Sequence, residues 1–230
     1  DDSLTNKLVL EGVFGPVKQV TEPKKLIDDG TLANFDIKAL ILSYPDSIRK
    51  SNKNMNYQEE IDWIVRNEAR NKFIRNLAWK LEGNTLILFQ FVEKHGQVLA
   101  PMLEKEDKTV HFIHGGVKAD DRENVRTIAE SSTDNIILAS YGTFSTGVNI
   151  KKLDNIIFAS PSKSKIRNLQ SIGRVLRKGN GKESATLYDI VDDLSWKSNE
   201  NFATRHFKER VKIYGEQGFD FRIYTIDIGE

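Results

Sequence analysis

The chain has 230 residues, enough for one large domain with its own hydrophobic core. Its 34 Lys and Arg residues nearly balance its 33 Asp and Glu residues, so the average charge indicates no particular partner. The absence of cysteine excludes disulfides and thiolate metal sites, and the four histidines lack metal-ligand spacing. With no signal peptide and no apolar run of about 18 residues, the sequence predicts a soluble, cytoplasmic protein. Its initial Asp1 indicates an excised fragment.

Strand and helix patterns alternate along most of the chain. Residues 1–56 are rich in Gly, Pro and polar side chains and predict a linker or lead-in with one strand. Short, nearly continuous apolar runs predict the strands, at residues 39–42, 85–91, 109–113, 135–140, 155–160, 185–190 and 219–228. Apolar residues at helical spacing predict the helices, at residues 61–81, 98–103, 125–129, 166–176 and 202–214.

This alternation predicts an α/β fold with a mainly parallel sheet and helices on both faces. We expect a linker at 1–56, the main domain at 57–194, and a C-terminal helix and strand extension at 195–230. In such sheets ligands bind at the loops after the strands' carboxyl ends.

Charge is unevenly distributed. The stretch from Lys151 to Lys182 contains nine basic residues and a single acid, Asp154. A solvated surface usually mixes both signs of charge, so this stretch favours contact with a polyanion such as nucleic acid.

The most specific motif lies inside that stretch. It reads Gln170-x-x-Gly173-Arg174-x-x-Arg177, which places two arginines on one helical face. Guanidinium groups stay charged and donate paired hydrogen bonds to phosphate oxygens. One arginine could hold a nucleotide while the other stabilises charge developing on its γ-phosphate. The alternative, an exposed basic helix, does not explain the Gln and Gly.

This motif resembles motif VI of the superfamily-two helicases, which implies a three-layer RecA-like domain. Residues 135–150 are similar to motif V, a strand and small-residue loop that contacts nucleic acid and communicates with the nucleotide. Residues 85–95 resemble motif IV, and residues 110–122 resemble the glycine-containing stretch that follows it. An ordinary α/β domain with buried strands and glycine loops is the alternative for these three segments.

The resemblance implies roles for individual residues. Arg174 and Arg177 would be catalytic. Nucleotide contacts would come from Gln170, Gly173, Gly147 and Asn149, where Asn149 replaces the commoner Asp. Nucleic-acid contacts would come from Ser140, Thr143, His114, Gly115, Arg122, Lys163 and Lys165. Arg122 could reach phosphate, or pair with Asp120 or Asp121.

Within the superfamily, bacteriophage recombination helicases are similar to this chain at residues 42–46, 56–61, 139–147, 162–166 and 170–178. The resemblance runs from about Phe14 to Leu194 and weakens at the C-terminus. This implies an ATP-dependent DNA motor acting on branched or forked, possibly single-stranded DNA in recombination and repair, in the host cytoplasm if phage-encoded. The sequence lacks both the Gly-x-x-x-x-Gly-Lys-Ser/Thr loop and the Asp-Glu box. ATP and Mg²⁺ would therefore be bound mainly by an absent N-terminal RecA-like domain, and this chain alone would be inactive.

Two other functions fit the sequence. One is a nucleic-acid-binding module with no motor role, using the basic stretch for phosphate contact. The other is a translocase of the restriction-enzyme type, which moves on duplex without separating strands. A carboxylate cluster at Asp189, Asp192 and Asp193 could suggest a metal, but pairing with basic residues explains it, and we expect no metal site.

Overall fold

The computed structural model describes residues 34–145, 152–160, 184–216 and 219–228. These residues contain seven strands that form one parallel sheet, in the order β3-β4-β2-β5-β6-β1-β7. The strands are β1 (Asn34–Ser43), β2 (Thr85–Phe89), β3 (Val110–Ile113), β4 (Ile136–Ser140), β5 (Asn155–Phe158), β6 (Ser184–Asp193) and β7 (Asp220–Asp227). All seven lie at the positions that the apolar runs predict.

The helices of the described residues connect these strands. They are α1 (Asp46–Asn52), α2 (Tyr57–Arg66), α3 (Glu68–Lys80), α4 (Gln97–Leu103), α5 (Ala119–Ser131), α6 (Tyr141–Ser145) and α7 (Phe202–Glu216). A π-helical turn at Val92–Gly96 leads directly into α4. The predicted helix at residues 166–176 lies outside the described residues.

The single helix predicted over residues 61–81 is two helices. Asn67 separates them with an extended backbone, ends α2, and accepts a hydrogen bond from the Arg70 amide at the start of α3. Asparagine favours such cap positions because its side chain competes for backbone hydrogen bonds. The fully buried line of α3 includes the charged Arg70 together with Ile74 and Ala78.

Two apolar layers cover the sheet, one on each face. The first packs α7, through Phe207 and Val211, against alternate residues of the central strands, such as Leu88 and Phe158. The second packs α2, α3 and α4 against the intervening strand residues, such as Ile87. This arrangement is the predicted three-layer α/β fold with a parallel sheet.

Strands from both ends of the described chain belong to this sheet. β1 pairs with β6 over its whole length, and β7 adds to the outer edge of β1. The predicted lead-in therefore contributes an inner strand, and the predicted C-terminal extension contributes an edge strand. The domain boundaries near residues 56 and 194 stay a prediction.

Candidate nucleotide and nucleic-acid site

The loops of the three predicted motifs follow β2, β3 and β4. These strands are parallel neighbours, so the three loops lie at the carboxyl-end edge of the sheet, where the strands end. β3 pairs with β4, with Ile113 opposite Ala139, and β4 pairs with β2. His114, the residue after β3, and Ser140, the last residue of β4, therefore lie side by side at the carboxyl ends of these strands. This edge is where an α/β sheet binds its ligands.

The turn after β4 is held by its own hydroxyl groups. The Oγ of Ser140 lies 2.8 Å from the Oγ1 of Thr143, and the Thr143 amide donates to the same Ser140 oxygen at 3.4 Å. Both side chains are buried, with 8% and 5% of their surface exposed, whereas Gly142 between them is exposed. The two hydroxyls thus shape the turn from inside. Their predicted contact with nucleic acid stays a prediction.

The tyrosine at the start of α6, Tyr141, is half-buried at this turn, and its hydroxyl oxygen is buried. Burial, and then the negative charge of Asp189, raise the pKa of Tyr141 well above its ordinary value. Its ring packs edge-on against Phe158 of β5, with 6.0 Å between the ring centroids. Tyr141 therefore stays neutral and ties α6 to the sheet.

The glycine loop after β3 forms a compact turn. The Val117 amide donates to the His114 carbonyl at 2.9 Å, and the Gly116 amide donates to the His114 Nδ1 at 3.2 Å. Arg122 donates from its Nε to the Val117 carbonyl at 3.0 Å. The alternative pairing of Arg122 with Asp120 or Asp121 is not found in the part of the chain that the structure describes. Arg122 instead braces this loop, while Gly115 at its tip is exposed.

The ends of β2 and β5 are joined by a buried serine. The Oγ of Ser160, just beyond β5, accepts a hydrogen bond from the Gln90 amide at 3.1 Å. The same oxygen lies 2.9 Å from the Nδ1 of His95 in the π-helical turn. Burial, and then the charge of Arg70, hold the pKa of His95 well below its ordinary value, so this imidazole is neutral. His95 is therefore a packed residue.

The predicted carboxylate cluster at the end of β6 divides between the two faces of the sheet. Asp189 binds Arg210 of α7 through both carboxylate oxygens, at 2.7 and 3.1 Å. Asp192 binds Arg70 of α3 at 2.7 Å. Pairing with basic residues is therefore confirmed for these two aspartates. Asp193 accepts a hydrogen bond from the Ser195 amide.

Eight of the predicted site residues lie outside the described residues. They are Gly147, Asn149, Lys163, Lys165, Gln170, Gly173, Arg174 and Arg177. Six of them belong to residues 161–183, and the described residues on either side of that segment are Ser160, two residues after β5, and Ser184, the first residue of β6.

Sequence reasoning did not predict the buried Arg70 or its partners. Arg70 stands one helical turn before Ile74 and two before Ala78, and that spacing on a buried face was the available signal. Among the described residues, no group of three or more His, Asp or Glu side chains could hold a metal ion. The described helices include none with the length and apolar character needed to cross a membrane.

Comparison with known proteins finds similarity to helicases. Residues 68–179 match the family described as helicase conserved C-terminal domain. These residues are similar to a helicase C-terminal domain. The chain as a whole is 33% identical over 240 residues to the ATP-dependent DNA helicase uvsW of Enterobacteria phage T4, covering 99% of this chain and 48% of the relative. The chain thus spans about half the length of that relative.

Solved structures support the same fold. The crystal structure of T4 UvsW matches with a TM-score of 0.76 and 33% identity, over 85% of this chain and 42% of that one. The DNA-bound Type ISP restriction-modification enzyme LlaBIII matches with a TM-score of 0.54 and 14% identity, over 96% of this chain and 17% of that one. E. coli DEAD-box protein SrmB matches with a TM-score of 0.52 and 15% identity, over 83% of this chain and 91% of that one. The described part of the chain therefore has the predicted RecA-like fold, and the last two likenesses concern the fold alone.

Proposed function

We propose that this chain is the second motor domain of an ATP-dependent DNA helicase that acts on branched DNA, such as replication forks and recombination junctions. The observation that carries the proposal is the 33% identity, over 99% of the chain, to a relative named as an ATP-dependent DNA helicase. The alignment of three motif loops at one sheet edge supports it, because a motor domain must present nucleotide and DNA contacts together.

In this proposal the chain supplies half of the nucleotide site. The sequence contains no Gly-x-x-x-x-Gly-Lys-Ser/Thr loop, so ATP and Mg²⁺ would be held mainly by another domain of the whole protein. Arg174 and Arg177 would reach that nucleotide from this side, since permanently charged guanidinium groups stabilise the charge that develops during phosphoryl transfer. Gln170, Gly173, Gly147 and Asn149 would form the surrounding contacts.

The DNA side would consist of the loops after β3 and β4 together with Lys163 and Lys165. The exposed Gly115 and Gly142 allow a phosphate to approach the backbone closely at these loops. The buried hydroxyls of Ser140 and Thr143 would act by fixing the shape of their turn. Arg122 would act similarly on the loop that contains His114.

The test is the Arg177→Ala substitution in the whole protein. We expect DNA affinity to be retained and the DNA-stimulated ATPase rate to fall by on the order of 10³-fold, the effect of losing an arginine that contacts the transferring phosphate. Lys212→Ala is the matched control, because Lys212 is an exposed cation on α7 away from the motif loops, and its ATPase rate should be unchanged.

Three other outcomes would contradict this proposal. Near-normal hydrolysis by Arg177→Ala would exclude the assigned role of this arginine. Salt-dependent DNA binding by the whole protein, without any DNA-stimulated hydrolysis, would instead identify a binding module with no motor role. Hydrolysis without strand displacement, compared on forked and blunt duplexes, would identify a duplex translocase.

A further inference from the structure

A buried ion pair lies beside the edge of the sheet that carries the motif loops. Arg70 and Asp192 have no exposed surface, and the Nε of Arg70 lies 2.7 Å from the Oδ1 of Asp192. The hydroxyl of Tyr44, the residue after β1, donates to the same oxygen at 2.8 Å. The pair therefore connects α3, β6 and the end of β1.

Arg70 makes a second hydrogen bond of a different kind. Its Nη2 donates to the backbone carbonyl of Ala159 at 2.6 Å. Ala159 is the first residue after β5, and its amide donates to the Leu88 carbonyl of β2. The guanidinium fork thus holds a backbone atom at the point where the chain leaves the sheet.

The next residue, Ser160, is held by other partners than Arg70. Ser160 is fully buried, and its Oγ accepts from the Gln90 amide and contacts His95. Two consecutive residues at the exit of β5 are therefore fixed by buried side chains, in each case with a partner distant in sequence.

Stability alone is a poor explanation for this network. Moving a charged pair out of water costs free energy that apolar packing would avoid, and replacing such pairs with apolar groups is often neutral or stabilising. Among the described residues, the Nη1 of Arg70, the Oδ2 of Asp192 and the Nε2 of His95 are buried without a hydrogen-bond partner. Each such group adds to the free-energy cost of burying the network.

We propose that Arg70 is a positioning residue for ATP hydrolysis. By holding the Ala159 carbonyl, it fixes the starting point of the segment 161–183, whose sequence contains Arg174 and Arg177. Arg70 touches neither nucleotide nor DNA in this proposal. The inference rests on the proposed function, because it assigns Arg70 to the reaction of those two arginines.

The test is Arg70→Lys in the whole protein. A lysine ammonium can still neutralise Asp192, but it lacks the rigid fork that reaches Asp192 and the Ala159 carbonyl together. We expect the DNA-stimulated kcat to fall by roughly 10- to 100-fold, since small misplacements of catalytic groups have effects of that size. The KM for ATP and the affinity for DNA should change far less.

Tyr44→Phe is the matched control. It removes a hydrogen bond to the same Asp192 oxygen but leaves Ala159 untouched, so it should lower thermal stability and retain kcat. Ser160→Ala removes the hydrogen bond that fixes the second residue after β5, so it should lower kcat in the same way as Arg70→Lys. It provides a second test if Arg70→Lys does not fold.

Hydrogen exchange separates this inference from the proposed function. The Ala159 amide should exchange roughly tenfold faster in Arg70→Lys than in Tyr44→Phe, whether or not the protein hydrolyses ATP. Faster exchange in a protein that lacks DNA-stimulated ATPase would refute the proposed function and the contribution of Arg70 to hydrolysis, but not the hydrogen bond by which Arg70 holds Ala159. Equal exchange rates, or equal loss of kcat in Arg70→Lys and Tyr44→Phe, would overturn the positioning role.

Discussion

A buried carboxylate joins the two helices α2 and α7, and its substitution should measurably destabilise the domain. Glu60 of α2 is 2% exposed, and its oxygens accept hydrogen bonds from the amides of Phe202 and Ala203, at 2.9 and 2.7 Å. A third bond comes from the Asn201 side chain at 2.9 Å. These amides are the first donors of α7, where a helix leaves its N–H groups unpaired and favours negative charge.

The expected cost of Glu60→Gln follows from these contacts. Glutamine keeps the side-chain length and one acceptor, so at least one buried donor loses its partner, at about 1–3 kcal/mol. Loss of the charge at the helix start adds about 1 kcal/mol. The sum is about 2–4 kcal/mol, which should lower the urea midpoint by about 1 M or more.

Urea unfolding followed by circular dichroism measures this effect. The matched control is Glu209→Gln, an equivalent substitution at an exposed position on α7 itself, which should leave the midpoint unchanged. If Glu60→Gln and Glu209→Gln unfold at the same midpoint, the carboxylate does not stabilise the start of α7, and the reasoning from its hydrogen bonds is wrong.

Two further predictions concern pH and backbone conformation. Burial lowers the pKa of His95, so the unfolded chain binds a proton below about pH 6.5 while the folded chain does not, and stability falls with decreasing pH by up to about 1.4 kcal/mol per unit. In His95→Gln, urea midpoints measured from pH 7 to 5 should fall less steeply; an unchanged slope would contradict the buried neutral imidazole. Gly83 has a φ of 78° and a side chain there would collide with Asp154, so Gly83→Ala should lower stability by more than about 1 kcal/mol in the same assay. If Gly83→Ala is as stable as the wild type, the turn can change its conformation without cost, and the reasoning from the φ of Gly83 is wrong.

The strands were predictable because burial on both faces leaves a direct trace in sequence. The runs at residues 85–89 and 136–140 are apolar or small at almost every position, and all ten of these residues are buried. Such runs alternating with helical patterns leave a parallel sheet as the consistent solution. The break at Asn67 was harder to predict, because the apolar spacing continues through it and only the cap geometry ends α2.

The candidate site was only partly predictable. Local motifs identified the loops after β3 and β4, since small residues and glycines at strand ends are visible in the sequence. The inward direction of the Ser140 and Thr143 hydroxyls was not visible, because it depends on how the turn closes over β4.

The sequence by itself determined the alternation of strands and helices, the uneven charge, and the family that the motifs resemble. Only the tertiary structure decided that Arg70 is buried, because its partners Asp192 and Ala159 lie 122 and 89 residues further along the chain. A charged side chain enters a protein interior only where a distant partner compensates its lost hydration. That compensation depends on the three-dimensional meeting of α3, β5 and β6, which no local pattern of residues encodes.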